Sequence, residues 1–159
     1  ISSIRPNVIH EYAHRSGIIT NMMQYSLLDR RPEEWFTLLK EHHISVIARG
    51  PLAKGLLSEK MLAKASQKVR EDGYLDYSYD QLKELLTSIK EAFSERSMNE
   101  IAFQYVLSSP VVAAVIPGAS SPEQLRENAA AVKSKPLSEE EVALLRSLAK
   151  LNVYEAHRI

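Results

Sequence analysis

Short apolar segments alternate with amphipathic helical segments along this chain, and that order restricts the fold more than any single motif. Residues 18–24, Ile-Ile-Thr-Asn-Met-Met-Gln, begin with β-branched residues and have the length of a buried strand. Residues 45–48 and 111–116 read the same way, the first closed by Gly50-Pro51. Around them lie helical patterns. Residues 5–15 place Val8, Ile9, Tyr12 and Ala13 on one face, with Pro6 in the first turn and Gly17 as a C-terminal stop. Residues 33–42 follow Pro32 with acidic residues in their first turn. Residues 80–93 carry Leu82, Leu85, Leu86, Ile89 and Phe93 on one face. Ser97 with Glu100, Ser121 with Gln124 and Ser138 with Glu141 each mark a helix start, and Leu137 with Val142 forms a hydrophobic staple. Strands that alternate with helices form parallel βαβ units. Three parallel strands leave two edges open, whereas a closed parallel barrel takes about eight.

Two stretches fit this frame differently. Residues 52–79 are polar, too long for an ordinary connection, and predicted to be functional or mobile. Residues 115–125, Val-Ile-Pro-Gly-Ala-Ser-Ser-Pro-Glu-Gln-Leu, run from an apolar strand through a glycine turn into a capped helix. Such a turn aims backbone N–H groups and hydroxyls at one spot, the arrangement that holds phosphate at helix N-termini. The same residues equally suit a plain, well-capped strand-to-helix turn. Arg49 ends its strand, and in parallel α/β folds ligands collect at the carboxyl ends of strands. A guanidinium there stacks on a ring or meets phosphate, or else is a solvated loop residue. Ser2-Ser3 and Gln24-Tyr25-Ser26 occupy comparable strand ends but are ordinary turn residues taken singly, and Asp29-Arg30-Arg31 reads as local ion pairing.

Composition excludes several classes of function. Twenty basic and twenty acidic residues balance, which removes the electrostatic reason to expect nucleic acid or an acidic membrane. The chain has no cysteine, so thiolate nucleophiles, thiolate metal sites and disulfides are out, and a reducing cytoplasm fits. No apolar run approaches the roughly 20 residues that span a bilayer. The five histidines show no metal-ligand spacing, and no Ser-His-carboxylate set or P-loop is present.

Together the segments resemble the aldo-keto reductase family. Ile1-Ser2-Ser3 is similar to the "GIS(N/S)" that ends its fifth strand, and Met22 to Arg30 to its "QxEYSLLxR" after strand six. Residues 46–60 resemble "VIAYSPLAxGLLTGK" at strand seven, and residues 115–128 resemble "VIPGASxxEQLxEN" at strand eight. The resemblance covers nearly the whole chain. It implies an α/β fold, namely the carboxy-terminal half of a (β/α)8 barrel, strands five or six to eight, with residues 1–159 as a single incomplete barrel segment.

The resemblance also implies NADPH as cofactor and an aldehyde or ketone as substrate. By position, Ser2 and Ser3 would contact the nicotinamide carboxamide and Arg49 would lie beside the nicotinamide. Gly50, Pro51, Leu52, Ala53 and Gly55 would wrap the pyrophosphate, helped by Ser58 and Lys60. Gly118, Ser120 and Gln124 would meet the 2′-phosphate and ribose, and Glu127 and Asn128 the adenine. Met22 stands where the family usually has a glutamine bonded to the carboxamide, and Gly118-Ala119 replaces a lysine-serine pair used by some members. No residue here matches the family's catalytic aspartate, tyrosine, lysine and histidine, which lie in the first four strands. The implied chain is thus the cofactor-gripping half of a reductase, inactive alone. The alternatives are a non-enzymatic nucleotide-sensing module and a half-barrel that associates with itself in place of its missing half.

Overall fold

In the computed structural model, which describes residues 1–158, the chain opens with α1 (Pro6–Arg15) and then β1 (Thr20–Gln24). A 3-10 turn (Arg31–Trp35) leads into α2 (Phe36–Glu41) and β2 (Ser45–Arg49). After a long connection come α3 (Gln67–Asp72), α4 (Tyr79–Ala92), α5 (Met98–Leu107), β3 (Val112–Ile116), α6 (Pro122–Val132) and α7 (Glu139–Leu148). The strands form one parallel sheet in the order β1-β2-β3, with Met22 opposite Ile47 and Ile47 opposite Ala114. Beyond β1, Ser2 bridges to Met22 in parallel, and Ile1 O accepts from Met22 N–H at 2.8 Å. The first two residues thus pair with the free edge of β1.

Alternation along the strands separates two faces. Asn21, Met23, Val46 and Ala48 are sealed, the apolar ones among them packing into two clusters with the helices. Met22 and Ile47 are half-buried, Ala114 is exposed and Ile116 is 47% exposed on the other face. This corrects the expectation that β3 is a buried strand. Of Val46, Ile47, Val112 and Val115, only Ile47 lies on the open face. The three valines pack toward the helices, because the register puts them on that side.

Other differences are local. Gly17 does not stop α1 in a left-handed turn; Ser16 ends it in an extended conformation. The helix expected over 33–42 begins within the 3-10 turn Arg31–Trp35 and becomes α-helical only from Phe36. The stretch 52–79 is packed rather than a mobile polar loop. Leu56, Leu57, Val69, Tyr74 and Tyr77 are buried in the main core, and Tyr74 and Tyr77 close a two-residue turn by exchanging backbone hydrogen bonds of 2.9 and 3.1 Å. The capping boxes at Ser97 and Ser138 form as expected, and Ser78 with Gln81 makes a third.

Candidate functional site

The carboxyl ends of β1, β2 and β3 open onto one cleft of about 770 Å³. Its floor at β1 and β2 is a relay of side chains. Arg31 grips the buried carboxylate of Asp29 through Nε and Nη2, both at 2.7 Å. Asp29 accepts from Gln24 Nε2 at 2.9 Å, and that amide nitrogen also reaches the Tyr74 hydroxyl at 3.3 Å. The remaining amide oxygen, Gln24 Oε1, accepts from Arg49 Nη1 at 3.2 Å. An acceptor-only carboxylate fixes which way the Gln24 amide faces, and the amide in turn places the guanidinium. Burial, reinforced by the Asp29 carboxylate, pushes the Tyr74 phenol up to about 12, so it stays neutral.

One wall is the loop after β2. Gly50 turns the chain with φ +67°, a left-handed conformation that glycine adopts without strain. Ala53 and Lys54 follow in the left-handed region at φ 46° and 59°, costly for residues with a Cβ. Hydrogen bonds hold them there: Ala53 N–H donates to Gly50 O at 3.0 Å, Gly55 N–H to Leu52 O at 2.8 Å, and Ser58 Oγ to Gly55 O at 2.7 Å. Glu59 fastens the loop further, accepting from Met98 N–H at the start of α5 at 2.6 Å.

The opposite wall is the turn after β3 and the start of α6. Ser121 Oγ accepts from Gln124 N–H at 3.3 Å, and Pro122 occupies the first turn. Gln124 Oε1 accepts from both Ser120 N–H (2.8 Å) and Ser120 Oγ (3.1 Å), which closes the turn. A Cβ built at Gly118 would meet nothing within 4 Å, so the backbone there borders open space. Deeper in, Asn128 Nδ2 donates to Gly118 O at 3.3 Å and Asn128 Oδ1 accepts from Asn99 Nδ2 at 3.4 Å.

Of the residues singled out from sequence, Arg49, Gly50, Leu52, Gly55 and Ser58 line the cleft from β2 and its loop. Gly118, Ser120, Gln124, Glu127 and Asn128 line it from β3 and α6. The structure does not bring the others there. Pro51 and Ala53 are buried beneath the loop, Lys60 is exposed outside it, and Ser2, Ser3 and Met22 lie at the β1 edge of the sheet. Gln24, placed by the sequence at a strand end comparable to that of Arg49 but read there as an ordinary turn residue, also lines it, and sequence reasoning missed Lys54, Tyr74 and Asn99. Tyr74 and Asn99 arrive from distant segments and carried no signal. Among the described residues no group of three His, Asp or Glu could hold a metal ion, and no helix is long and apolar enough to cross a membrane.

A parallel sheet backed by helices, with a cleft at the strands' carboxyl ends, defines the chain as part of an α/β fold of the kind that binds ligands at that end. Residues 1–150 match the profile of the Aldo/keto reductase family, and the chain belongs to that family. It is 54% identical over 158 residues to the uncharacterised oxidoreductase YqkF of Bacillus subtilis, covering 99% of this chain and 52% of that one. The aldo-keto reductase AKR11C1 from Bacillus halodurans, solved in apo and holo forms, superposes with a TM-score of 0.90 at 52% identity over the whole of this chain. The NADH-specific methylglyoxal reductase of Escherichia coli is 24% identical over 148 residues, 89% of this chain and 45% of the enzyme. The chain spans about half the length of these relatives, and its sheet and helices fit the carboxy-terminal half of their barrel.

Proposed function

We propose that the protein to which this chain contributes reduces aldehydes or ketones with NADPH in the cytoplasm, and that residues 1–159, one incomplete barrel segment, supply the cofactor-binding half. The observation that carries the reading is the convergence of a strained, glycine-hinged loop, a relay-held arginine and a capped helix start on one cleft. These residues fit a dinucleotide. Lys54 places a cation at the cleft suited to anionic phosphate, Arg49 adds a second positive charge, and Gly118 leaves space for close approach. When bound, the nicotinamide supplies the hydride.

In this reading the chain orients and encloses. Arg49, placed by Gln24, sets one side of the nicotinamide pocket, with Ser2, Ser3 and Met22 toward its carboxamide end. The loop from Gly50 to Lys60, including Pro51, Leu52, Ala53 and Gly55, holds the pyrophosphate. Ser120 and Gln124 at the start of α6 take the adenosine phosphate, and Glu127 and Asn128 the adenine. Tyr74, the phenol at the cleft, accepts from Gln24 Nε2 at 3.3 Å and has its pKa raised by burial, which makes it a weak general acid. The chain alone should therefore bind the dinucleotide without turning over a carbonyl substrate.

Fluorescence titration of the chain with NADPH and NADH, beside an NADPH-oxidation assay with a reactive aldehyde, tests both halves of the proposal. Binding without turnover is expected, with NADPH tighter. Failure to bind either dinucleotide refutes the site, and turnover above the protein-free rate refutes the division of labour. The apolar row on the open sheet face, Met22, Ile47 and Ile116, supports a companion reading: the missing half of the barrel covers it, or a second copy does when that half is absent.

A further inference from the structure

The relay on the cleft floor passes on position without passing on charge. The Asp29 carboxylate is sealed from solvent and taken up by Arg31, through Nε and Nη2, both at 2.7 Å. Asp29 is also fixed by its backbone, which exchanges hydrogen bonds of 3.0 and 3.2 Å with Ser26. The Gln24 amide therefore follows Asp29 and not the reverse. Its Nε2 donates to Asp29 Oδ2 at 2.9 Å, because a carboxylate only accepts, and this turns Oε1 toward Arg49 Nη1 at 3.2 Å. A neutral amide thus separates the carboxylate from Arg49. Among the described residues Arg49 makes no ion pair, and its bond to Gln24 is the only hydrogen bond of its side chain. Glu127 lines the same cleft from α6 without pairing with it. The result is an anchored guanidinium whose positive charge is not cancelled, at the carboxyl end of β2. A carboxylate in place of the amide would anchor it more strongly but would cancel that charge. The free charge therefore calls for an account of its own.

We infer that Arg49 makes the cleft hold the reduced nicotinamide dinucleotide in preference to the oxidised one. This rests on the proposed dinucleotide site, with Arg49 beside the nicotinamide. The reduced ring is neutral and the oxidised ring carries a positive charge, while the rest of the dinucleotide is the same in both. The attraction of Lys54 and Arg49 for the phosphates is then common to the two forms, and only the repulsion between Arg49 and the oxidised ring separates them. Two like unit charges about 4 Å apart change an affinity about fivefold in water, and by more at a lower effective dielectric. The cleft thereby keeps the form that gives hydride and lets go of the form left after transfer.

The test is isothermal titration calorimetry of the 159-residue chain with NADPH, NADP⁺, NADH, NAD⁺ and ADP-ribose. The wild type should bind each reduced form at least about fivefold tighter than its oxidised form, and the ratio should shrink as ionic strength rises. Arg49→Gln, at an exposed position, should bring both ratios close to one with an unchanged urea midpoint. Arg49→Lys, which keeps the charge, should retain most of the preference. ADP-ribose, which lacks the ring, should bind wild type and Arg49→Gln alike. A wild type without the preference, a preference that survives Arg49→Gln, or a loss shared equally by all the ligands, which would make Arg49 a phosphate contact, overturns the inference and leaves the dinucleotide site standing. A wild type that binds none of them overturns both.

Discussion

Glu33 is the strongest single constraint on the scaffold behind the cleft, and replacing it by glutamine tests whether that scaffold is held electrostatically. Its carboxylate accepts from Arg30 Nε (3.2 Å), Arg30 Nη2 (2.9 Å), the Tyr25 hydroxyl (3.1 Å) and the Tyr105 hydroxyl (2.6 Å), with Arg146 Nε at 4.0 Å. One side chain thus joins the segment after β1 to α5 and α7. Burial works to raise its pKa, but the hydrogen bonds from Arg30 and Tyr105 outweigh burial and hold it below its ordinary 4.5. Both Tyr25 and Tyr105 are pushed up, first by burial, and remain neutral donors. In Glu33→Gln the fold keeps its shape, yet an amide N–H₂ faces donors and the Arg30 guanidinium, whose side chain is 7% exposed, loses its counter-charge. Removing one partner of a buried pair costs about 3–5 kcal/mol. Arg30 Nη1 keeps its two backbone acceptors, Arg146 O and Ala149 O, which lowers the expectation to about 2–4 kcal/mol. Against a total stability of about 5–15 kcal/mol this is a large share, and it lowers Tm by roughly 5–15 °C. The sign with pH follows from the depressed pKa. The carboxylate's contribution is complete above its ordinary value and disappears as pH falls through the lower folded value. Urea denaturation followed by circular dichroism at neutral and strongly acid pH should show the wild-type advantage at neutral pH and its closure in acid. A loss below about 1 kcal/mol at neutral pH, or a gap that persists in acid, would refute this account.

Three further outcomes are expected. Gly73→Ala places a Cβ 2.0 Å from Tyr77 O at φ +79°, so it should cost about 3 kcal/mol by urea denaturation and weaken dinucleotide binding by unseating Tyr74; an unchanged midpoint would contradict the turn geometry. Gln124→Ala removes both hydrogen bonds to Ser120 and should weaken NADPH about ten- to hundredfold and NADH less; equal losses for the two would remove the 2′-phosphate from the site. Light scattering on the chain should find species larger than a monomer, since the open sheet face exposes Ile116 and half-exposes Met22 and Ile47; a compact monomer that binds no apolar dye would count against that.

What was legible in the sequence followed from repetition. The strands announced themselves as apolar runs of the right length, and the helix starts at Ser97, Ser121 and Ser138 by a hydroxyl three residues before Glu or Gln. The strand-end residues of β2 and the turn after β3 could be placed at the cleft because both segments are continuous in sequence with the elements that position them. Residues 52–79 were rightly singled out as more than a connection, since five of them line the cleft, but their packing was not legible because 3-10 turns and single buried aromatics leave no periodic pattern. Tyr74 reaches the cleft by a glycine-hinged two-residue turn, and Asn99 by the packing of α5 on α6; neither depends on its sequence neighbours. The Asp29–Gln24–Arg49 relay was visible only as polar residues near strand ends, because what joins them is register between β1 and β2.

The mistaken reading of β3 carries information of its own. The sequence Val-Ala-Ala-Val-Ile has no polar residue on either face, the pattern of a parallel strand covered on both sides. In this chain one face of it, Ala114 and Ile116, is bare, as the same face of β1 and β2 is half-bare at Met22 and Ile47. Helices cover the other face, where Met23, Val46 and Ala48 are sealed and Val112 and Val115 are partly buried. An antiparallel sheet of similar size could leave a face to water by alternating polar residues into it, but these three strands do so only at Thr20, Gln24, Ser45 and Arg49, near their ends. Polar residues at the carboxyl ends then have a specific meaning. Gln24 and Arg49 sit where the row opens onto the cleft, so the open face grades from apolar at its middle to charged at its functional rim. That gradient suits a barrel interior closed by further strands, with a ligand at its mouth, and it places the missing cover on the sheet face rather than over the cleft.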